Sequence, residues 1–138
     1  MTPQLSPRLA AAVHALPLRE GMAVLEIGCG PGAMARETAR IVGGSGHVLG
    51  LDRSARAIGQ ARAAGGPAWL DYAEGAIEDF APADLAGRFD LAVALRVGVL
   101  DGRHPEGETA ALRCIAHLLA PGGQLFIDGQ DATARLPR

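Results

Sequence analysis

Val24-Leu25-Glu26-Ile27-Gly28-Cys29-Gly30-Pro31-Gly32 runs a mostly apolar segment straight into a turn built on three glycines, with an acid, Glu26, near the end of the segment. Glycines at alternate positions let a chain turn tightly and let a ligand approach main-chain atoms that a Cβ would shield. A glycine turn between a strand and a helix is a place where α/β proteins hold a nucleotide. Which nucleotide is held depends on Glu26.

Working outward from this turn, Ala23 to Ile27 reads as a strand buried on both faces, because its residues do not alternate in polarity. Ahead of it, Ser6-Pro7 opens a helix running from Arg8 to Leu16, with serine as cap and proline in the first turn. After the turn, Ala33 to Val42 reads as a helix, broken by Gly43-Gly44-Ser45-Gly46. His47 to Leu51 is a second strand ending at Asp52, and Ser54 caps a helix from Ala55 to Ala64. A third strand is expected from Ala68 to Tyr72, a loop from Glu74 to Asp84 and a fourth strand from Phe89 to Leu95. Val97 to Gly107 is a long loop, Glu108 to Leu119 a helix, Pro121-Gly122-Gly123 a turn and Gln124 to Asp128 a fifth strand.

Strands alternating with helices predict an α/β fold: a three-layer Rossmann-like sandwich, with a mostly parallel sheet of about five strands and helices on both faces. Right-handed crossovers put the ligand crevice at the carboxyl ends of the strands. Glu26, the glycines, Asp52 and the loops after Glu74 and Leu95 all fall there. The 138 residues fit one domain, residues 1–138, with no internal repeat or linker.

Composition narrows the function. Hydrophobic residues make up 49% of the chain, which allows a core, and a net charge of −2 gives no electrostatic case for nucleic acid or anionic membranes. Aromatic residues at 4% do not furnish a stacking platform for single strands. Two cysteines, Cys29 and Cys114, do not make a disulfide scaffold and fit a reducing cytoplasm. Met1-Thr2-Pro3-Gln4-Leu5 lacks the plan of a signal peptide, and no apolar run reaches the length of a membrane span.

Three readings of the turn compete. One is a structural turn without a ligand. A second is a dinucleotide site, since Gly28, Gly30 and Ala33 satisfy the G-x-G-x-x-G/A spacing and Asp52 is placed to take a ribose. Against it, Glu26 brings a carboxylate near a pyrophosphate, at a cost on the order of a few kcal/mol, and Pro31 removes an amide donor. The third is S-adenosylmethionine, which carries no phosphate but a sulfonium, an ammonium and a carboxylate. An acid beside its cationic part fits, and Asp52 accepts from both ribose hydroxyls.

The ordered set of motifs resembles the class I S-adenosylmethionine-dependent methyltransferases. Val24 to Gly32 matches their first motif, Gly50-Leu51-Asp52-Arg53-Ser54 the acidic end of their second strand, and Glu74-Gly75-Ala76-Ile77-Glu78-Asp79-Phe80 their adenine loop. Phe89-Asp90 looks like the fourth strand, and Leu118-Leu119-Ala120-Pro121-Gly122-Gly123 like the turn before the fifth. The resemblance implies that Glu26, Gly28, Cys29 and Gly30 surround the methionine moiety, Asp52 holds the ribose and Arg53 flanks the adenine. It further implies that Ala76 and Ile77 meet adenine through the backbone, and that Leu95 or Arg96 closes the methionine end. An acid or amide is common in the family where this chain has Ala76, which leaves Glu78, Asp79 or a backbone carbonyl for the adenine amine. The family continues into two further strands, so this chain is expected to lack the final strands. Its fifth strand, near Phe126, is then an open edge: a homodimer partner covers it, Gly129 to Arg138 folds back over it, or the protein is a reduced version of the family.

The implied activity is methyl transfer to a small molecule, with a binding module lacking catalysis as the alternative. Methyl transfer mainly requires positioning, so no catalytic residue is forced by the chemistry. Two candidates remain. Arg96 either pins its loop or clamps a carboxylate of the cofactor or the substrate. His104 is either an exposed loop residue or a general base, imidazole being the side chain that titrates near neutrality. His14, His47 and His117 are dispersed without metal-ligand spacing.

Overall fold

The computed structural model describes residues 5–137. The extreme N-terminal reading, Met1 to Gln4, lies outside them, as does Arg138. Among the described residues no helix is long and apolar enough to cross a membrane.

Strand β1 (Ala23–Ile27) lies at the centre of the sheet, between β2 (His47–Asp52) and β4 (Phe89–Ala94). Outside β2 lies β3 (Leu70–Glu74), and outside β4 lie β5 (Leu119–Ile127) and the short β6 (Gln130–Asp131). The order β3-β2-β1-β4-β5-β6 reverses direction between β1 and β4, and only β6 is antiparallel. That reversal opens the crevice at the glycine turn.

Helices α1 (Pro7–His14) and α2 (Ala33–Val42) cover one face, where Val13, Met34, Ala35 and Val42 pack on Val24, Val48, Leu91 and Val93. Helix α4 (Glu108–Leu118) covers the other, where Ala111, Leu112, Ile115 and Leu118 meet Leu25, Ile27, Leu51 and Ala92. Helix α3 (Ala55–Ala64) runs beside β2 and β3, capped by Ser54, whose hydroxyl accepts from the Ala57 N–H at 3.1 Å. Strand alternation sends Leu25 and Ile27 toward α4, so Glu26 shares the α1–α2 face with Val24.

Four expectations are corrected. The third strand begins two residues later than expected, because Pro67 closes a turn onto Leu70 N–H (3.1 Å) before pairing with β2 begins at Val48 and Leu70. The helix before the fifth strand ends at Leu118, and Leu119 already pairs with Phe89. The expected Pro121-Gly122-Gly123 turn lies inside β5 as an irregularity, since the next register pair is Leu91 with Gln124.

The fourth correction concerns the edge: the sheet has six strands, not about five. The chain turns back at Gly129 and lays β6 against Phe126 and Ile127. Leu125 is served as well: its N–H donates to Thr133 Oγ1 at 3.0 Å, and its carbonyl accepts from Ala132 N–H at 2.7 Å. The outer hydrogen-bonding groups of β5 at these positions are taken by the chain itself, so the open edge on which the homodimer expectation rested is closed there.

Candidate cofactor site

The turn after β1 hangs from the end of β2. Gly28 and Cys29 N–H both donate to the Leu51 carbonyl, at 2.7 and 3.0 Å. Asp52 extends the tie: Oδ2 accepts from Gly30 N–H at 2.8 Å, Oδ1 from Ser54 N–H at 2.9 Å, and its carbonyl from Gly75 N–H at 2.9 Å. One residue thus joins three segments: its carboxylate ties the glycine turn to the start of α3, and its carbonyl holds the loop after β3.

The glycines do different jobs. Gly28 has φ +75°, and a Cβ there would lie 2.9 Å from Val97 Cγ2. Gly32 has φ +90°, and a Cβ would collide with the Tyr72 hydroxyl. Gly30, at φ +55°, faces open space, so its main chain is approachable from solvent.

Glu26 is 6% exposed, and its Oε1 has no hydrogen-bond partner. Burial, reinforced by Asp52 and partly offset by Arg36, pushes its pKa up to about 8. Such a carboxyl is mostly protonated at pH 7, so the penalty against pyrophosphate is weaker than a charged Glu26 implies. The same burial, with Glu26 and Asp52 close by, pushes the Cys29 thiol up to about 12, so this cysteine is a neutral packing group rather than a nucleophile.

Two cavities flank the turn. The first, about 260 Å³, is bordered by Gly28, Asp52, Arg53, Ala76, Ile77, Glu78, Leu95, Arg96 and His104. The second, about 400 Å³, lies toward α1 and is bordered by Glu26, Gly28, Cys29, Leu95 and Arg96, with Arg8, Leu9, Met34 and Asp128. Gly28, Leu95 and Arg96 line both and form their junction. Every residue the sequence assigned to the cofactor borders one cavity or the other except Gly30, which is bonded to Asp52.

Arg96 follows β4 in the left-handed region, at φ 56°. Its N–H donates to Asp128 Oδ1 at 2.8 Å, and its carbonyl accepts from Arg103 Nη2 at 2.5 Å. Asp101 holds Arg103 through Nε at 2.9 Å. The backbone of Arg96 pins the loop, while its guanidinium has no bonded partner among the described residues. His104 donates its N–H to the Gly98 carbonyl at 2.9 Å and rests its ring on Gly98. It borders the first cavity, with Asp52 and Glu78, and not the cavity holding Glu26.

Sequence reasoning missed the outer wall of the second cavity: Arg8 and Leu9 from α1, Met34 from α2 and Asp128 after β5. It also gave Tyr72 only a packing role, whereas its hydroxyl is buried without a partner beside Gly32. Among the described residues no cluster of three or more His, Cys, Asp or Glu is gathered to hold a metal.

The sequence matches the family described as "Methyltransferase domain" over residues 24–123. It is 36% identical over 127 residues to an arsenite methyltransferase of Aquipseudomonas alcaligenes, a match covering 86% of this chain and 36% of the relative. It is 31% identical over 115 residues to a ubiquinone biosynthesis O-methyltransferase of Xanthomonas oryzae pv. oryzae, covering 82% of this chain and 45% of the relative. The fold superposes on an S-adenosylmethionine-dependent methyltransferase from Mesorhizobium loti with a TM-score of 0.68 and 28% identity, over 85% of this chain and 50% of that one. The chain therefore spans half or less of the length of these relatives.

Proposed function

Since the chain belongs to the S-adenosylmethionine-dependent methyltransferase family, we propose that it binds S-adenosylmethionine across both cavities and directs methyl transfer to a small-molecule acceptor. The observation that carries this reading is Glu26. A buried carboxyl with an unpartnered oxygen, bordering a cavity, matches a cationic ligand group that would supply the missing partner.

The residues fit the cofactor as follows. Asp52 lies in the first cavity with lone pairs left to accept from ribose hydroxyls. Ala76 and Ile77 offer main chain and an apolar side to the adenine, and Glu78 borders the same space. Glu26 takes the ammonium, ionising as it does so, and Gly28 leaves the junction open between the two ends. When bound, the cofactor supplies a methyl group already activated by its sulfonium. The protein's part is to hold donor and acceptor in line and to exclude water. Arg96 and Leu95 guard that junction, and His104, on the first cavity, contributes to holding the adenosyl end rather than to taking a proton from the acceptor.

The relatives' names point to two acceptor chemistries, a metalloid and a quinone precursor. A thiophilic acceptor calls for gathered thiolates. Here Cys29 is a neutral thiol inside the turn, and Cys114 lies on α4 with its thiol donating to the Glu78 carbonyl at 3.4 Å. This favours an organic acceptor.

Calorimetry with S-adenosylhomocysteine and with NAD tests the reading. The expected result is saturable binding of the former and none of the latter. Binding of NAD with no response to S-adenosylhomocysteine overturns it. Turnover across a panel of organic acceptors then separates an enzyme from a binding module.

A further inference from the structure

The second cavity offers more guanidinium groups than one methionine carboxylate can use. Arg8, on α1, and Arg96, after β4, both border it. Neither guanidinium has an ion-pair or hydrogen-bond partner among the described residues. A methionine tail brings one carboxylate. Arg96 lies at the junction of the two cavities, where that tail would pass, whereas Arg8 borders only the outer one. Arg8 is therefore left unclaimed, above a wall of Leu9, Ala12, Ala33 and Met34. Asp128 is the opposing charge on this rim, and its Oδ1 is already occupied by Arg96 N–H.

We propose that the methyl acceptor is a small, mainly apolar organic acid, its carboxylate held by Arg8 and its body seated on the apolar wall between α1 and α2. The inference rests on the cofactor reading above. A guanidinium matches a carboxylate with two parallel N–H donors, and at the mouth of an apolar cavity that contact is less screened than on open surface. A bound sulfonium adds a further positive charge on the inner side. An amide of the same shape offers no negative charge to either.

The test uses protein saturated with S-adenosylhomocysteine and two probes of equal shape, 4-hydroxyphenylacetate and 4-hydroxyphenylacetamide, followed by calorimetry or NMR titration. The wild type should bind the acid about tenfold or more tightly than the amide. Arg8→Gln should erase that preference while changing S-adenosylhomocysteine affinity by less than about twofold, and Arg8→Glu should reverse it. Arg96→Gln should instead weaken S-adenosylhomocysteine. Arg8 is exposed and makes no side-chain bond, so these variants should melt with the wild type. Equal binding of acid and amide to the loaded wild type overturns the inference, as does a preference that survives in Arg8→Gln. Failure of S-adenosylhomocysteine to bind at all overturns the cofactor reading instead, so the two failures are distinct.

Discussion

The two cavities on either side of Gly28 are built by different means. The inner one is a backbone construction. Leu51 and Asp52 receive five N–H groups from three separate segments, and most of its wall is the ends of strands and the loops that follow them. The outer one is a side-chain construction. Its walls are faces of α1 and α2, and its one deeply buried polar group, Glu26, lacks a partner. A site fixed by main-chain geometry suits a ligand that never changes. A site fixed by side chains on helix faces can be revised residue by residue to suit an acceptor.

The sharpest way to break this comparison is Glu26→Gln. If Glu26 is a partner waiting for a cation, the substitution should weaken S-adenosylhomocysteine about 100-fold, the usual scale for losing one half of a buried charge pair. It should also stabilise the empty protein. A carboxyl whose pKa is raised from 4.5 to about 8 holds its proton in the folded state while the unfolded chain has released it. Stability therefore falls as pH rises from about 4.5 to 8, by a few kcal/mol in all, and glutamine escapes the loss. Thermal melts at pH 6 and 8.5 check this. A variant that is destabilised and still binds would make Glu26 a structural residue.

The same proton makes a nearly equal prediction for the wild type. Binding a cation to ionised Glu26 requires release of a proton below pH 8, so affinity should drop by about tenfold per unit as pH falls from 7.5 to 6. Other charged groups near Glu26 are Asp52 on β2, Arg36 on α2, and Arg8, Arg96 and Asp128 around the cavity. Calorimetry in buffers of different ionisation enthalpy should detect the released proton. In Glu26→Gln the slope should vanish; a slope that persists assigns the proton elsewhere.

Asp52→Ala strikes the inner cavity. It removes the acceptor for Gly30 N–H as well as the ribose contact, so affinity should fall by about 1–3 kcal/mol. The empty protein should be destabilised too, the opposite sign to Glu26→Gln. That difference in sign is the comparison in its most testable form.

The inner cavity was legible in the sequence because its parts are local. A glycine turn after an apolar strand, an acid closing the next strand and a loop after the third are each contiguous; their order puts the glycines, Asp52 and that loop at one rim, and the family resemblance adds Arg53, Ala76, Ile77 and Glu78, which border the same space. Glu26 was found for the right position but with the wrong charge state, because burial is not written in the residues beside it. The outer wall was not legible. Arg8 and Met34 are ordinary members of amphipathic helices, and nothing local says that their faces meet across a cavity. The turn-back at Gly129 is one of three outcomes that the sequence leaves open for the edge. It was decided by Thr133 and Ala132, whose contacts with Leu125 depend on packing rather than on pattern.

The smallest effect concerns the residue common to both cavities. Arg96 holds a left-handed backbone without being glycine, a conformation that costs a side-chain-bearing residue about 1 kcal/mol. Its two main-chain bonds, to Asp128 and Arg103, do not need its side chain. If the residue serves only through its backbone, Arg96→Gly should leave ligand binding untouched. If it belongs to the ligand, glycine should raise stability by about 0.5–1 kcal/mol, since it relieves the strain while retaining some entropic penalty, and should weaken S-adenosylhomocysteine at the same time. Chemical denaturation and titration on one variant measure both. A residue that is strained, bonded through its backbone and exposed at the junction of two cavities should show this trade between stability and binding.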